Sequence, residues 1–531
     1  MTTVPHDGRR RLPDIRSFLA RQGVLFCLAA VAVVSVHVAI FLAGLYASPV
    51  NFDEAYVLQS PANFVQGRGW GSFDWQTGGP IVLFDPITST GPTALVPVAA
   101  SFALFGVGIE QARWVMLLWY GLFVGGAWTL GHRMAGRWAG LAVALATLAL
   151  NTRVDFPSSV IFGPAEVLGE IPAVSLILLA VLLLRSRPQL AGLALGLAAM
   201  AKLAALLAVP VLAVALLFVP RDTWGVLWLR IGRGPELARR FASAVVLGLW
   251  VVVPVGLWEV VKLIGLHWPA YKQNLKGNLA FFGRSGSGVT GTRVTDYSGR
   301  IDKYQLSWFI PSWLATLIFV GTAVIVVGLL VLAVVSWRRG TSLPGRVGPP
   351  EFAVAAIFLG YMIWWIFLAN SLFARQSFPG MLLGGPITAA FVCVAAGVAW
   401  RSRHLVGRIA AVGLIAAWGV VAVTQAYRHV EKSFSDESYT RGEQIAAADF
   451  IEENFPQGIQ SLDYWQNPEL TFLAGVDSVP FPAQDDSRPL VLSPLHQQLI
   501  PDQYREALED DCVDVLYSQD GFVVCTVAPT D

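Results

Sequence analysis

The sequence predicts an α-helical polytopic membrane protein of about eleven transmembrane helices with a small C-terminal α/β domain outside the membrane. Three observations carry this. Of 531 residues, 55% are hydrophobic and 14% charged, with mean hydropathy +0.58, where soluble chains carry about 25% charged residues. Apolar runs recur at or near the ~20-residue length that spans a bilayer. Past about residue 430, the composition becomes that of an ordinary soluble domain. A net charge of +1 with dispersed arginines gives no footing for nucleic acid.

The elements follow in order. A basic start (Arg9, Arg10, Arg11, Arg16, Arg21) precedes an apolar run from about Val24 to Tyr46. That run exceeds the ~7–15 residues of a signal-peptide core, so it reads as an uncleaved first transmembrane helix with a cytoplasmic N-terminus. Further runs lie near 112–131, 138–152, 168–184, 190–201, 203–219, 241–264, 308–336, 351–369, 380–400 and 405–425. Two are short enough to be half-helices or a helical hairpin. The segment GPTALVPVAASFALFGVG (91–108) is almost long enough to span. Laid in the outer interface instead, it brings the basic loops 131–137, 185–187, 221–240, 337–340 and 401–408 to one side, as the positive-inside bias favours. Pro80, Pro92 and Pro97 suit a non-spanning segment. The odd number of spans then places the C-terminus outside an inner or plasma membrane.

On this topology residues 1–429 form the transmembrane domain, with a first external loop at 48–111 and others around 155–170 and 265–307. Residues 430–531 form the soluble domain. In it RGEQIAAADFIEENF has helical spacing, and DVLYSQDGFVVCTV reads as strand, Asp-Gly turn, strand. The four cysteines lack metal-site spacing, and Cys27 and Cys393 fall in apolar runs. Cys512 and Cys525 lie in an oxidising compartment, but a two-residue Asp520-Gly521 turn does not set them opposite each other. Whether they bridge stays open.

Ionisable residues at membrane boundaries mark candidate sites. Asp53 and Glu54 follow the first helix in NFDEAYVLQ, where Asn51 is also a candidate N-cap with acids in the first turn. The loop continues through Arg68 in FVQGRGWGSFDW and into LFDPITSTGP, rich in aromatics, Gly and isolated polar groups. Lys202 splits an apolar stretch, either as a snorkelling cation or as a site residue. Arg375 stands between two spans. Glu170, with Glu166 a turn before it, opens one span and Arg113 another. All fall on one side of the membrane. Carboxylates there suit a general base or a divalent-metal ligand, and cations suit a lipid-borne phosphate. That combination fits sugar transfer from a lipid phosphate, whose leaving group carries the developing charge.

The ordered set NFDEAYVLQSPANFVQGRGW, FDPITSTGPTALVPVAASFALFGVGIEQARW, GLALGLAAMAKLAALLAVPVL and FARQSFPGMLLGGP resembles the GT-C glycosyltransferases. The nearest likeness is to the protein O-mannosyltransferase and lipid A aminoarabinose transferase group. The resemblance implies a polyprenyl-phosphate sugar donor, a lipid, glycan or protein acceptor, inverting transfer on the outer face, and in many members a divalent metal. Carried over, Asp53 matches the acidic residue acting as base or metal ligand, with Glu54 beside it and Glu170 as the second acid, also a metal ligand. Lys202 and Arg375 match the phosphate-side cations, with Arg68 and Arg113 as further donor contacts. Two departures stand out: STGPT lacks the usual lysine before the non-spanning stretch, and Gln376 replaces a tyrosine. Arg68, or the backbone at Thr90 and Gly91, is the expected substitute for that lysine. Rival readings are a transporter or flippase, against which the lack of internal repeats counts, and a polymerase or ligase of lipid-linked glycans.

Overall fold

A computed structural model describes residues 15–73, 81–86, 88–149, 163–219, 230–231, 235–283, 297–308, 310–339, 349–369, 374–401, 404–434, 440–462, 468–482 and 488–527. Helix α1 (Ile15–Tyr46) leads into α2 (Phe52–Val65), an antiparallel hairpin of β1 (Gly71–Phe73) and β2 (Ile81–Leu83), and α3 (Pro92–Phe105). Among the described residues, the stretch read from sequence as a first external loop is thus built of helices and a hairpin. Next come α4 (Ile109–Ala135), α5 (Arg137–Leu145), α6 (Glu170–Leu183), α7 (Pro188–Ala201) and α8 (Ala208–Leu217). A short pairing of β3 (Phe218–Val219) with β4 (Arg230–Ile231) precedes α9 (Pro235–Gly283). The bundle closes with α10 (Tyr297–Leu306), α11 (Ser312–Arg339), α12 (Pro349–Ile363), α13 (Phe378–Trp400) and α14 (Leu405–Phe434).

Among the described residues seven helices are long and apolar enough to cross a membrane. The shorter apolar helices α6 and α7 sit inside the bundle. Helix α6 is buried from Glu170 through Leu178, which explains why it is hydrophobic all round. The outer helices show the opposite pattern, with Leu28, Val31, Val324, Ile409 and Val420 each more than half exposed. An apolar exterior around helices whose backbone bonds are internally satisfied is what a bilayer requires of an integral membrane protein.

The stretch expected as a loop at 265–307 is largely helical. Helix α9 continues to Gly283 through a break at His267 (φ 57°), and α10 follows. Pro269 has no N–H for the carbonyl four residues back, so the helix bends there. Beyond the bend, Asn274 donates to the Phe84 carbonyl at 2.6 Å and fastens α9 to the end of the β1–β2 hairpin.

The C-terminal unit begins with α15 (Arg441–Asn454), whose Thr440 and Glu443 form a reciprocal capping box. It continues with β5 (Ile459–Leu462), α16 (Pro468–Ala474), β6 (Ser478–Phe481), β7 (Leu490–Leu492), α17 (Pro494–Leu499), α18 (Pro501–Glu506), β8 (Cys512–Gln519) and β9 (Phe522–Val527). The sheet order is β6-β5-β7-β9-β8, with β5 parallel to its neighbours and β9 antiparallel to its own. Side-chain alternation sends Val491 and Val524 into one core with α15 and α16, and Leu490 and Val523 into the other.

Cys512 and Cys525 are bridged, with Cα atoms 5.5 Å apart. The two-residue turn is present, but two register shifts in β8 move Cys512 opposite Val527, diagonal to Cys525. The cysteines are not opposite each other, as the two-residue turn predicts, and the bulges bring them close enough to bridge.

Glu469, in the first turn of α16, is buried where this unit packs on α2, and its Oε2 has no hydrogen-bond partner. Burial pushes its carboxyl up from 4.5 to about 7. Between those values the unfolded chain releases the proton and the folded chain keeps it, so stability falls as pH rises through this window and levels off above it. The loss amounts to about 3 kcal/mol. Melting of the full chain in detergent between pH 4.5 and 7.5 should show this decline in the wild type and a flatter profile in Glu469→Gln. Parallel profiles would remove Glu469 as the source.

Candidate active site at the α1–α2 junction and the α7–α8 break

The acidic pair divides by burial. Asn51 caps α2, accepting the Glu54 N–H at 2.9 Å, so both acids stand in the first turn as the spacing predicts. Asp53 is half-buried, whereas Glu54 is fully enclosed and bidentate to Arg113 at 3.0 and 2.6 Å. Arg113 also donates to the carbonyls of Gly44 (2.8 Å), Ser48 (2.7 Å) and Pro49 (2.9 Å). All five guanidinium N–H groups are therefore engaged, at zero exposure. This corrects the expectation that Arg113 contacts a donor phosphate: it has no N–H left to offer one. Glu54, expected among the catalytic acids, is held likewise: it is fully buried, both its oxygens accept from Arg113, and Oε1 also accepts the Val167 N–H at 3.0 Å. The two residues clamp the end of α1 to α2, α4 and the segment before α6.

Glu170 and Lys202 form a second centre. Lys202 occupies a break in the bundle, extended (φ −148°, ψ 119°) between α7 and the 3-10 turn Leu203–Leu207. Its Nζ lies 2.7 Å from Glu170 Oε1, while Glu170 Oε2 is buried without a partner. Lys202 is thus a buried, paired cation at the end of α7 and not a snorkelling one. The STGPT segment sits against this break: Gly91 N–H donates to Ala201 O at 3.0 Å, and Gly169 N–H donates to Thr90 Oγ1 at 3.1 Å. A Cβ at Gly91 would stand 1.9 Å from Met200 O, and one at Gly169 2.2 Å from Ala201 O, so only glycine permits either approach.

These contacts tie the two centres together. Asn51 Nδ2 donates to Glu166 Oε2 at 3.0 Å, and Glu166 to Glu170 is one continuous stretch ending at Lys202. The structure therefore joins the segments of Asp53, Glu170, Lys202, Thr90 and Gly91. It does not bring Arg68 to them: Arg68 is exposed, hydrogen-bonded to Gln66, 3.8 Å from Asp477 and 5.7 Å over the Phe73 ring. Arg375 lies in the 3-10 turn Ala374–Ser377, and its side chain falls outside the described residues. Among the described residues no three His, Cys, Asp or Glu side chains converge as metal ligands. With one Glu170 oxygen already matched to Lys202, the expected pair Asp53 and Glu170 does not by itself make a metal site.

Several contributors carried no sequence signal. Asp85 accepts from Tyr56 and from Ser72 (2.5 Å), pinning α2 to the β1–β2 hairpin. Arg300 is fully buried and holds the carbonyls of Trp365, Ile366 and Ala369 at the end of α12. Arg441 and Gln444 reach the α1–α2 junction from the C-terminal unit. An apolar groove of about 910 Å³ between α11, α13 and α14 is lined by neither Asp53 nor Lys202. A narrow cleft runs between Phe52, Tyr56 and Gln59 of α2 and Pro468, Thr471 and Ser478.

No protein-family model matches the sequence, and no curated protein does. Among solved structures, ArnT from Cupriavidus metallidurans bound to undecaprenyl phosphate superposes with a TM-score of 0.53 at 15% identity, over 94% of this chain and 99% of that one. ArnT in the apo state gives 0.49 at 16% identity, over 96% and 100%. The archaeal oligosaccharyltransferase AglB from Archaeoglobus fulgidus, in complex with an inhibitory peptide and a dolichol-phosphate, gives 0.48 at 13%, over 85% and 64%. The likeness to ArnT spans nearly the whole of both chains, and this chain has the GT-C membrane fold.

Proposed function

We propose that this chain is an integral membrane glycosyltransferase that moves a sugar from a polyprenyl-phosphate donor to an acceptor hydroxyl or amine at the extracytoplasmic face. The observation that carries the reading is the Asn51–Glu166 hydrogen bond, which ties the segment of a half-buried Asp53 to the segment of a Lys202–Glu170 pair set in a broken helix. Asp53 takes the acceptor proton as the acceptor heteroatom forms its bond to sugar C1. The C1–O bond to phosphate breaks on the opposite side, inverting the anomeric centre, and its electron pair stays on the phosphate oxygen. Lys202 offsets that charge, with the Thr90–Gly91 turn beside it. The fold shared with an undecaprenyl phosphate-bound structure supports a lipid donor. The disulfide supports an oxidising location for the C-terminal unit.

The test is transfer from undecaprenyl-phosphate sugars by the reconstituted chain, paired with binding of undecaprenyl phosphate itself. Lys202→Met should weaken that binding about 10–150-fold, the value of a charged hydrogen bond. The double variant Glu170→Gln/Lys202→Met removes the unpaired buried carboxylate left by the single change. It should regain stability but not binding. Undiminished binding in both variants would remove Lys202 from the donor site.

A further inference from the structure

We infer that the C-terminal unit is part of the Asp53 site: Arg441 and Gln444, from the first turn of α15, are positioning residues that fix the α1–α2 junction and so aim Asp53. The activity arm of this inference rests on the glycosyltransferase reading above.

The last carbonyls of a helix have no intrahelical partner, and at a membrane boundary water does not reliably replace one. At the end of α1 they are met by side chains from two directions. Arg113 takes Gly44, Ser48 and Pro49. Arg441 takes Leu45 at 2.7 Å and is itself held by Glu110 at 3.1 Å. Gln444 then brackets Val50: its Oε1 accepts the Val50 N–H at 2.8 Å and its Nε2 donates to the Val50 carbonyl at 2.9 Å. Both halves of one amide serve both backbone groups of one residue, as a paired strand would, and Gln444 is 1% exposed. Asp53 stands three positions beyond this bracket, so the path of the chain into Asp53 is set jointly by the bundle and the C-terminal unit. Docking does not depend on the bracket alone, since α16 also packs on α2 and the Phe472 ring lies 6.4 Å from that of Phe102.

Gln444→Ala removes the bracket and leaves the apolar docking surface. A misplacement of about 1 Å at a reacting group costs on the order of 10²-fold in rate. The expected result is a kcat lowered about 10–100-fold, with undecaprenyl phosphate binding within twofold of wild type because the Lys202–Glu170 pair is untouched. Hydrogen exchange should quicken over residues 47–56 and stay slow over 441–527. An unchanged kcat overturns the inference, and so does a loss confined to lipid binding. Should exchange rise across 441–527, Gln444→Glu is decisive: it keeps an acceptor for the Val50 N–H but sets a carboxylate against the Val50 carbonyl. A wild-type kcat there overturns the positioning role, and a lowered kcat with a protected domain supports it. If the wild-type chain transfers no sugar, the functional reading fails on its own, and slow exchange at 47–56 in Gln444→Ala would still sink the bracket.

Discussion

Asp53→Asn should lower sugar transfer by about 10²–10⁴-fold, the range over which a positioned general base accelerates proton transfer. The substitution is nearly isosteric, and Asn is tolerated at a helix start, so α2 keeps its cap and its first turn. An amide cannot take the acceptor proton. Undecaprenyl phosphate binding should persist, because Lys202 and Glu170 pair with each other and not with Asp53 in any contact described. The neighbouring Glu54→Gln supplies the contrast. That change leaves the Arg113 charge buried without its carboxylate, and its main effect should be lost folded protein rather than lost turnover. Turnover per folded molecule, measured on both variants after size-exclusion chromatography, separates the two acids. Full activity in Asp53→Asn would place the base elsewhere.

Arg113→Ala should be the most destabilising single change in the bundle. Breaking a buried ion pair from one side costs about 3–5 kcal/mol because the remaining charge is left unpaired. Here the three carbonyls of Gly44, Ser48 and Pro49 lose their donor as well. Arg113→Lys should recover little, since an ammonium lacks the planar five-donor fork that serves a carboxylate and three carbonyls together. Glu54→Ala/Arg113→Ala should recover part of the loss by removing both charges, yet leave the carbonyls unmet. Thermal unfolding in detergent reads all four proteins, and a melting temperature for Arg113→Ala near wild type would refute the clamp.

The apolar runs read from sequence correspond to helices of the bundle because burial in lipid or protein imposes a composition that survives without knowledge of contacts. The Asn51 cap and the Asp520-Gly521 turn were legible for a similar reason, as both are set by residues within a few positions of each other. What failed depended on partners. Glu54 and Arg113 stand 59 positions apart, and each alone looks like a boundary charge at a site; only their meeting shows that they neutralise one another. Lys202 was ambiguous until the break in the helix and Glu170 were seen together. The bulges of β8 leave no mark in the alternation of a short strand, so the cysteine pairing stayed open until the register was seen. Helix α9 runs past the apolar run read at 241–264 because its continuation, with Lys272, Gln273, Asn274, Lys276 and Asn278, is too polar to extend that run.

The bracket around Val50 also orders events during biogenesis. Val50 emerges from the ribosome early, but Gln444 lies 394 residues later. Membrane helices insert and pack as they are made, while a contact of such sequence separation waits for nearly the whole chain. The α1–α2 junction can reach its final form only after the C-terminal unit has folded and docked. A chain that ends before Gln444, or whose C-terminal unit is undocked, therefore lacks the bracket, and its α1–α2 junction stays unfinished.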